Sequence, residues 1–148
     1  MSANRILVSS ESDFESTVGY SRAVRIGPHI AVAGTTSAAP AADNREIGDI
    51  GDIGAQTREA LRRIEVALNQ AGAALSDVVR TRIYVTDISR WREVAAVHSD
   101  VFGDIRPAAT MVEVAALIAP ELLVEIEADA YSEASSPTGR KEPSAPGR

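Results

Sequence analysis

One segment near the C-terminal end of the chain alternates strictly between two kinds of side chain. Apolar Leu122, Val124, Ile126, Ala128 and Ala130 take turns with Leu123, Glu125, Glu127, Asp129 and Tyr131, a mostly acidic set. Because a β-strand points successive side chains to opposite faces, the pattern predicts a strand with one buried face. The sheet that contains this strand must therefore meet its helices on one side only.

The other periodicities predict two helices and several strands. Apolar residues at helical spacing predict a helix from Ile53 to Ala71, with Asp52 as a cap and Gly72 just beyond its end. A second helix is predicted from Ser89 to Gly103. Runs of β-branched and aromatic residues predict strands, and the composition of 5–9 also fits a short one; the predicted strands cover residues 21–26, 29–35, 78–86, 110–117 and 122–131.

The predicted order is β-β-α-β-α-β-β, which indicates an α+β fold with one mixed sheet and both helices on one face. We expect one domain over residues 1–131, since a chain of 148 residues suits a single core. From Ser132 to Arg148 the composition changes to Ser, Pro, Gly and scattered charge. We expect that segment to be a disordered tail, because it lacks the apolar residues that offset ordering entropy.

Composition excludes several classes of function. The absence of cysteine removes disulfides, thiol nucleophiles and thiolate metal sites, and it fits a reducing compartment. A net charge of −6 disfavours nucleic acid as a partner. His29 and His98 stand apart from other ligand residues, so we expect no metal and no cofactor. No apolar run has the length of a membrane span or a signal, so we expect a cytoplasmic protein without membrane contact.

The polar face of the predicted sheet has two interpretations. Arg80 and Arg82 on one strand and the acidic residues on another are typical of a solvated face with cross-strand ion pairs. The same face is also predicted to carry apolar side chains with no helix left to cover them, namely Val78, Tyr84, Met111 and Leu123. Under that second interpretation a partner subunit covers the face.

A group of motifs in order along the chain resembles the RidA/YjgF family. The strongest stretches are Arg106–Ala115, with sequence RPAATMVEVA, and Leu123–Ala128, with sequence LVEIEA. Shorter matches are Gly19-Tyr20, Ala33-Gly34-Thr35, Gln56 with Ala60-Leu61, Ala71-Gly72, Asp77-Val78-Val79 and Val85-Thr86-Asp87. Together they span the chain from about residue 19 to 131.

The resemblance implies a chorismate-mutase-like fold that assembles as a homotrimer, with small-molecule clefts between subunits and enamine or imine deamination as the family activity. Carried over by position, it implies Glu125 as the catalytic residue. The implied substrate-binding residues are Tyr20, Ala33, Gly34, Thr35, Ala109 and Glu125. For Glu125 the alternative role is a cross-strand ion pair with Arg80 or Arg82; for Tyr20, Gly34 and Thr35 it is packing.

Ala109 departs from the family pattern, which has an arginine there that grips the substrate carboxylate. Deamination of ordinary 2-imino acids is therefore disfavoured. Arg106 is considered as a substitute, although its spacing from position 109 in an extended chain points to the opposite face. Three functions stay open: a trimer that binds a small metabolite, a hydrolase of a different enamine or imine in which Glu125 positions water, and a ribonuclease-like activity that the acidic composition disfavours.

Overall fold

A computed structural model describes residues 4–10, 12–38 and 49–133. The described chain forms six strands and three α-helices, with short 3-10 turns at Leu75–Asp77 and Ile88–Arg90. In chain order these are β1 (Arg5–Val8), α1 (Asp13–Val18), β2 (Ala23–Ile26), β3 (His29–Thr35), α2 (Ile53–Gln70), β4 (Val78–Val85), α3 (Trp91–Phe102), β5 (Ala108–Glu113) and β6 (Val124–Tyr131).

All six strands form one mixed sheet in the order β1-β2-β3-β6-β4-β5. Only β4 and β5 run parallel; the other neighbours are antiparallel. Helices α2 and α3 pack side by side on one face, against the apolar residues that alternation assigned to the core. The predicted α+β fold with one mixed sheet and two helices on one face is confirmed. We call the opposite side of the sheet its open face.

The local signals at α2 and the first hairpin are confirmed in detail. Asp52 caps α2 by accepting a hydrogen bond from the backbone of Ala55 at 3.0 Å, and Gly72 follows the helix with a φ of 79°. β2 and β3 are joined by Gly27-Pro28, with Gly27 at a φ of 56°. A positive φ at the first turn residue is what a type II′ hairpin needs, so glycine before proline suits this turn.

Helix α1 has no counterpart among the predicted elements. It is only six residues long and is defined by a capping box, in which the Ser12 hydroxyl accepts from the backbone of Phe14 and Glu15 accepts from the backbone of Ser12. A helix of about one and a half turns is too short to show an apolar period, so it was not predicted from the sequence.

Three of the side chains predicted for the open face belong to the core side instead, namely Val78, Met111 and Leu123. A register shift between Val78 and Arg80 inverts the alternation, so Val78 is buried at 4% exposure and Val79 is 52% exposed. Met111 lies beside Ile83 and packs against the core, and Leu123 also packs there. The open face keeps Tyr84 and gains Val79, because the bulge in β4 adds one residue that simple alternation does not count. It also carries Val112, which pairs with Tyr84 in the regular β4–β5 register.

The folded body includes Ser132, which is buried, donates its backbone N–H to Pro28 and accepts from Arg25. The rest of the expected tail, beyond residue 133, lies outside the described residues. None of the described helices combines the length and the apolar character that crossing a lipid bilayer requires.

Candidate functional site

A cavity of about 840 Å³ opens where β2 begins, β3 ends and β6 begins. Of the residues that the sequence singled out, Tyr20, Ala33, Gly34 and Glu125 line it together. The remaining walls come from the segment 9–18, from α2 around Arg62–Gln70, and from Ile118, Ala119 and Leu122. We call this space the Glu125 cavity.

A bulge in β3 shapes the floor of the Glu125 cavity. Val32 pairs with Ala128 and Thr35 with Ile126, so Ala33 and Gly34 together face a single residue of β6. A Cβ at Gly34 would lie 2.8 Å from Oε1 of Glu125 and 3.1 Å from its Cδ. Glycine is therefore required at position 34 if the Glu125 carboxyl group is to lie where it does.

Glu125 presents a half-buried carboxyl group to the cavity. Burial raises its pKa above the usual range, the positive charge of Arg22 partly offsets that effect, and Glu127 adds to it. Within the described part of the chain this carboxyl group accepts no hydrogen bond and forms no ion pair, unlike its neighbour Glu127. An acid with these properties is suited to exchanging a proton with a bound molecule.

The cross-strand alternative is thereby resolved for the described residues. Arg82 pairs with Asp129 at 3.0 Å and lies 3.7 Å from Glu127, and the Tyr84 hydroxyl donates to Glu127 at 2.6 Å. The ion pairs predicted for the polar face are present, but they engage Glu127 and Asp129. The Glu125 carboxyl group lines the cavity and takes part in none of these ion pairs.

Arg22 also lines the cavity, a position that was not predicted from the sequence. Its Nη2 donates to the Gly34 carbonyl at 2.5 Å, and its guanidinium carbon lies 5.9 Å from the centre of the Tyr20 ring. Its Nε is buried and has no hydrogen-bond partner among the described residues. Burial lowers the pKa of Arg22, while the Tyr20, Glu15 and Glu125 charges raise it. The spacing of Tyr20 and Arg22 could have indicated this position, because residues two apart in an extended chain point to the same side.

Two further arginines lie in the α2 wall, but carboxylates already engage them. Arg62 and Arg63 both pair with Glu59, at 2.7 Å and 3.1 Å, and Arg63 also donates to the Thr36 carbonyl. Together with Arg22 they place three cationic side chains in the lining against one carboxyl group, that of Glu125. The Glu125 cavity is thus basic in a chain whose net charge is −6.

Three residues considered from the sequence do not line this cavity. Thr35 is 1% exposed and its hydroxyl donates to the Ala33 carbonyl, because the bulge leaves its side chain in the core. Ala109 is exposed on the outer strand β5, with β4 between it and β6. Arg106 is exposed in a turn with a φ of 56°, which places it as a turn residue.

Buried polar residues near the site have structural partners. Gln56 of α2 is fully buried, accepts from the Leu123 backbone at 2.9 Å and donates to the Glu121 carbonyl, which fixes the start of β6 just before Glu125. His98 shares a hydrogen bond with the Thr81 hydroxyl at 2.9 Å and stacks near Phe102, as expected of a packed histidine. The described residues contain no group of three or more potential ligands arranged for a metal ion.

Comparisons with known proteins agree on one family. The profile of endoribonuclease L-PSP matches residues 10–132. A crystal structure from Mycobacterium tuberculosis, of a member of the highly conserved YjgF/YER057c/UK114 family, is 68% identical, with a TM-score of 0.76 over 86% of this chain and 99% of that one.

Curated relatives point the same way. A RutC family protein of Pyrococcus abyssi is 39% identical over 77% of this chain and 87% of its own. The 3-aminoacrylate deaminase RutC of Acinetobacter baylyi is 34% identical over 62% of this chain and 72% of its own.

Proposed function

This chain belongs to the endoribonuclease L-PSP family, the RidA/YjgF group, and we propose that it assembles as a homotrimer whose intersubunit clefts bind and hydrolyse a small enamine or imine. The observation that carries the proposal is the Glu125 carboxyl group, half-buried, without a hydrogen bond in the described chain, and held against Gly34 in a basic cavity. The similarity to a relative named 3-aminoacrylate deaminase supports the same class of reaction.

Assembly is supported by the surface that a single chain leaves uncovered. Val79 and Val112 are 52% and 43% exposed on the open face of the sheet, where no helix of the described chain lies. Val112 and its ladder neighbour Tyr84 form one apolar group on this face, while Val79 lies near the other end of β4, and exposed apolar groups on a sheet face without a covering helix support a protein interface. In the proposed trimer, β5 of a neighbouring subunit brings its position 109 to the mouth of the Glu125 cavity, which therefore becomes an intersubunit cleft.

The proposed reaction needs one proton-transfer group and water. An enamine first takes a proton on carbon and loses one from nitrogen, which gives the imine. Glu125 then accepts a proton from water as the oxygen attacks the C=N carbon, and it returns that proton to the nitrogen. In the resulting carbinolamine the hydroxyl proton moves to the nitrogen, again through Glu125, as the C–N bond breaks, so that one imine and one water yield one carbonyl compound and one ammonia. Tyr20 and the Gly34 backbone form the wall against which the substrate rests.

Substrate choice follows from Ala109, which has neither the charge nor the length to hold a carboxylate. We propose that ordinary 2-imino acids lack the contact that the family arginine provides, so the preferred substrate differs from theirs in shape or in the way it is held. Binding of a metabolite without turnover is the second candidate, and the same substitution favours it. We do not propose ribonuclease activity, because a chain of net charge −6 repels a phosphate backbone. A cytoplasmic location agrees with the lack of cysteine.

The test follows the decay of an imine generated in place by an amino-acid oxidase, with a panel of amino acids as precursors. Wild type should accelerate the decay of at least one imine, and Glu125→Gln should reduce the rate by about 10²- to 10⁴-fold, the range for losing a general base. Glu127→Gln is the matched control on the same strand and should retain most activity. Binding of the carbonyl product with no acceleration of any imine would replace hydrolysis by the second candidate.

A further inference from the structure

We propose that Arg22 is the carboxylate-binding residue of the cleft, and that the ligands of this protein are small carboxylates held from the Tyr20 side instead of from position 109. The inference rests on the proposed function, since it assumes that the Glu125 cavity holds a small metabolite. It adds the substrate class and the residue that selects it.

The first argument comes from the hydrogen bonds of the guanidinium group. Arginine has five N–H donors in a planar fork. One nitrogen of Arg22 donates to the Gly34 carbonyl, while its Nε is buried without a partner in the described chain. A buried donor without an acceptor is destabilising, and a carboxylate oxygen is the acceptor that best relieves it.

Arg25, which lies in β2 three residues after Arg22, is an arginine with a structural role in this fold. Its guanidinium nitrogens donate to three backbone carbonyl groups, those of Gly27, Ala71 and Ser132, at 2.8 to 2.9 Å. Arg22 makes one such bond, has a buried Nε without a partner in the described chain, and lines a cavity. The difference between the two side chains indicates that the Gly34 carbonyl holds Arg22 in place and that the remaining donors of Arg22 bind a ligand instead of the backbone.

The charges around the cavity favour the same assignment. Arg62 and Arg63 share the single carboxylate of Glu59, which partly neutralises both, and Arg63 also donates to the Thr36 carbonyl. The acid nearest to Arg22 within the lining is Glu125, and the two form no ion pair within 4.0 Å in the described structure. An anion that enters the cavity meets Arg22 as its strongest attractor.

The position of Gly34 links Arg22 to the reacting group. Arg22 donates to the Gly34 carbonyl, and Glu125 Oε1 lies against the place where a Cβ of Gly34 would be. A ligand whose carboxylate lies on Arg22 therefore presents its next carbon atom toward Glu125. In a 2-imino acid or a 2-oxo acid that next carbon is the one that water attacks or has attacked.

Binding of pyruvate and of its neutral amide, pyruvamide, measured by NMR titration or calorimetry, tests the inference on the full chain. Wild type should prefer pyruvate. Arg22→Gln should weaken pyruvate binding by about 10- to 100-fold and leave pyruvamide unchanged, because only the charge-assisted contact is lost. Arg58→Gln removes the same charge from α2 outside the cavity lining, where Arg58 pairs with Asp100, and is the matched control, expected to bind pyruvate as wild type does.

Arg22→Lys distinguishes a loss of carboxylate binding from a structural effect of the substitution. It keeps the positive charge and a donor for Gly34 but loses the planar fork, so it should bind pyruvate between wild type and Arg22→Gln. Equal pyruvate binding by wild type and Arg22→Gln would overturn the inference and leave the proposed function intact. If neither pyruvate nor pyruvamide bound to wild type, the inference would also be overturned, and the imine-decay assay with Glu125→Gln would decide the proposed function separately.

Discussion

The carboxyl group of Glu125 occupies the space that a side chain at residue 34 would need. A Cβ at Gly34 would lie 2.8 Å from Oε1 of Glu125, closer than carbon and oxygen atoms approach without repulsion. The bulge in β3 brings the glycine to this point, because Ala33 and Gly34 share a single partner residue on β6. Backbone shape and acid placement are thus coupled at the site.

Gly34→Ala should therefore impair function more than stability. The added methyl group meets the flexible end of Glu125, which can swing away, so the melting temperature should change little. The displaced carboxyl group should lower kcat/KM for the best imine by about 10²-fold, the size expected for a misplacement near 1 Å. Gly54→Ala in α2 is the control, since its Cβ would meet only ordinary contacts from 3.5 Å outward. Equal activity for Gly34→Ala and wild type would show that the catalytic position of the Glu125 carboxyl group does not depend on glycine at residue 34.

The raised pKa of Glu125 predicts an unusual pH dependence of stability. Burial favours its protonated form in the folded state, so the unfolding free energy that it contributes is present below its ordinary value of 4.5 and is lost as pH rises through the raised folded value. Compared with Glu125→Gln, wild type should lose stability as pH increases through that window. Urea unfolding of the two proteins at several pH values measures the difference.

Glu15 provides the opposite sign in the same experiment. Burial opposes ionisation there, but hydrogen bonds from Ser10 and Ser12 outweigh it and lower the pKa of Glu15. Its contribution is therefore present at neutral pH and is lost as pH falls through the lowered value. Wild type should lose stability relative to Glu15→Gln as pH falls through that window, and identical pH dependences of the two wild-type-minus-variant differences would contradict both assignments.

The sequence predicted the fold well because periodicity reports burial directly. Alternation in β6 and the apolar stripe of α2 both matched the core. It failed where one residue breaks the period, as at Val79, or where an element is too short to have one, as in α1. Simple alternation cannot locate a bulge, because the extra residue is tolerated through geometry and not through composition.

The site was predicted in part, and the reason lies in chain topology. Tyr20, Gly34 and Glu125 were identified by resemblance, and they do meet in one cavity. Arg22 was not, because its role depends on which of its nitrogens find partners once β2 and β3 are paired. Such hydrogen bonding between residues twelve positions apart has no signature in a single sequence.

Val112→Asp should disrupt the proposed assembly. Val112 lies beside Tyr84 on the open face and is 43% exposed, so aspartate costs the isolated chain little but places a charge in an apolar interface. Light scattering should then give the single-chain mass of 15.6 kDa, against three times that for wild type. Ile50→Asp, at a 72% exposed site before α2, is the control and should stay trimeric. A wild-type monomer at micromolar concentration would remove the intersubunit cleft.

Two truncations locate the end of the folded body. Deleting residues 134–148 should leave the melting temperature almost unchanged, since the sequence of that segment contains no apolar anchor. Deleting residues 132–148 also removes Ser132, which is buried and bonded to Pro28 and Arg25. That second truncation should lower the melting temperature by about 2–8 °C, as expected for two lost hydrogen bonds. An equal, large effect of both would place an anchor beyond residue 133.

Moving the positive charge from Arg22 to position 109 tests the trimer and the carboxylate site together. Arg22→Gln should lose pyruvate binding, and adding Ala109→Arg should restore it by about tenfold or more if the neighbouring subunit presents that position to the cleft. Ala108→Arg, added to Arg22→Gln instead, is the matched control, because Ala108 pairs with Arg80 and Ala109 with Thr81, so the two side chains point to opposite faces of β5. Restoration by Ala109→Arg but not by Ala108→Arg would show that an arginine on either wall of the cleft can bind the carboxylate. If the double variant stays trimeric and fails to bind, residue 109 does not face the Glu125 cavity, and its departure from the family pattern has no bearing on which substrate is taken.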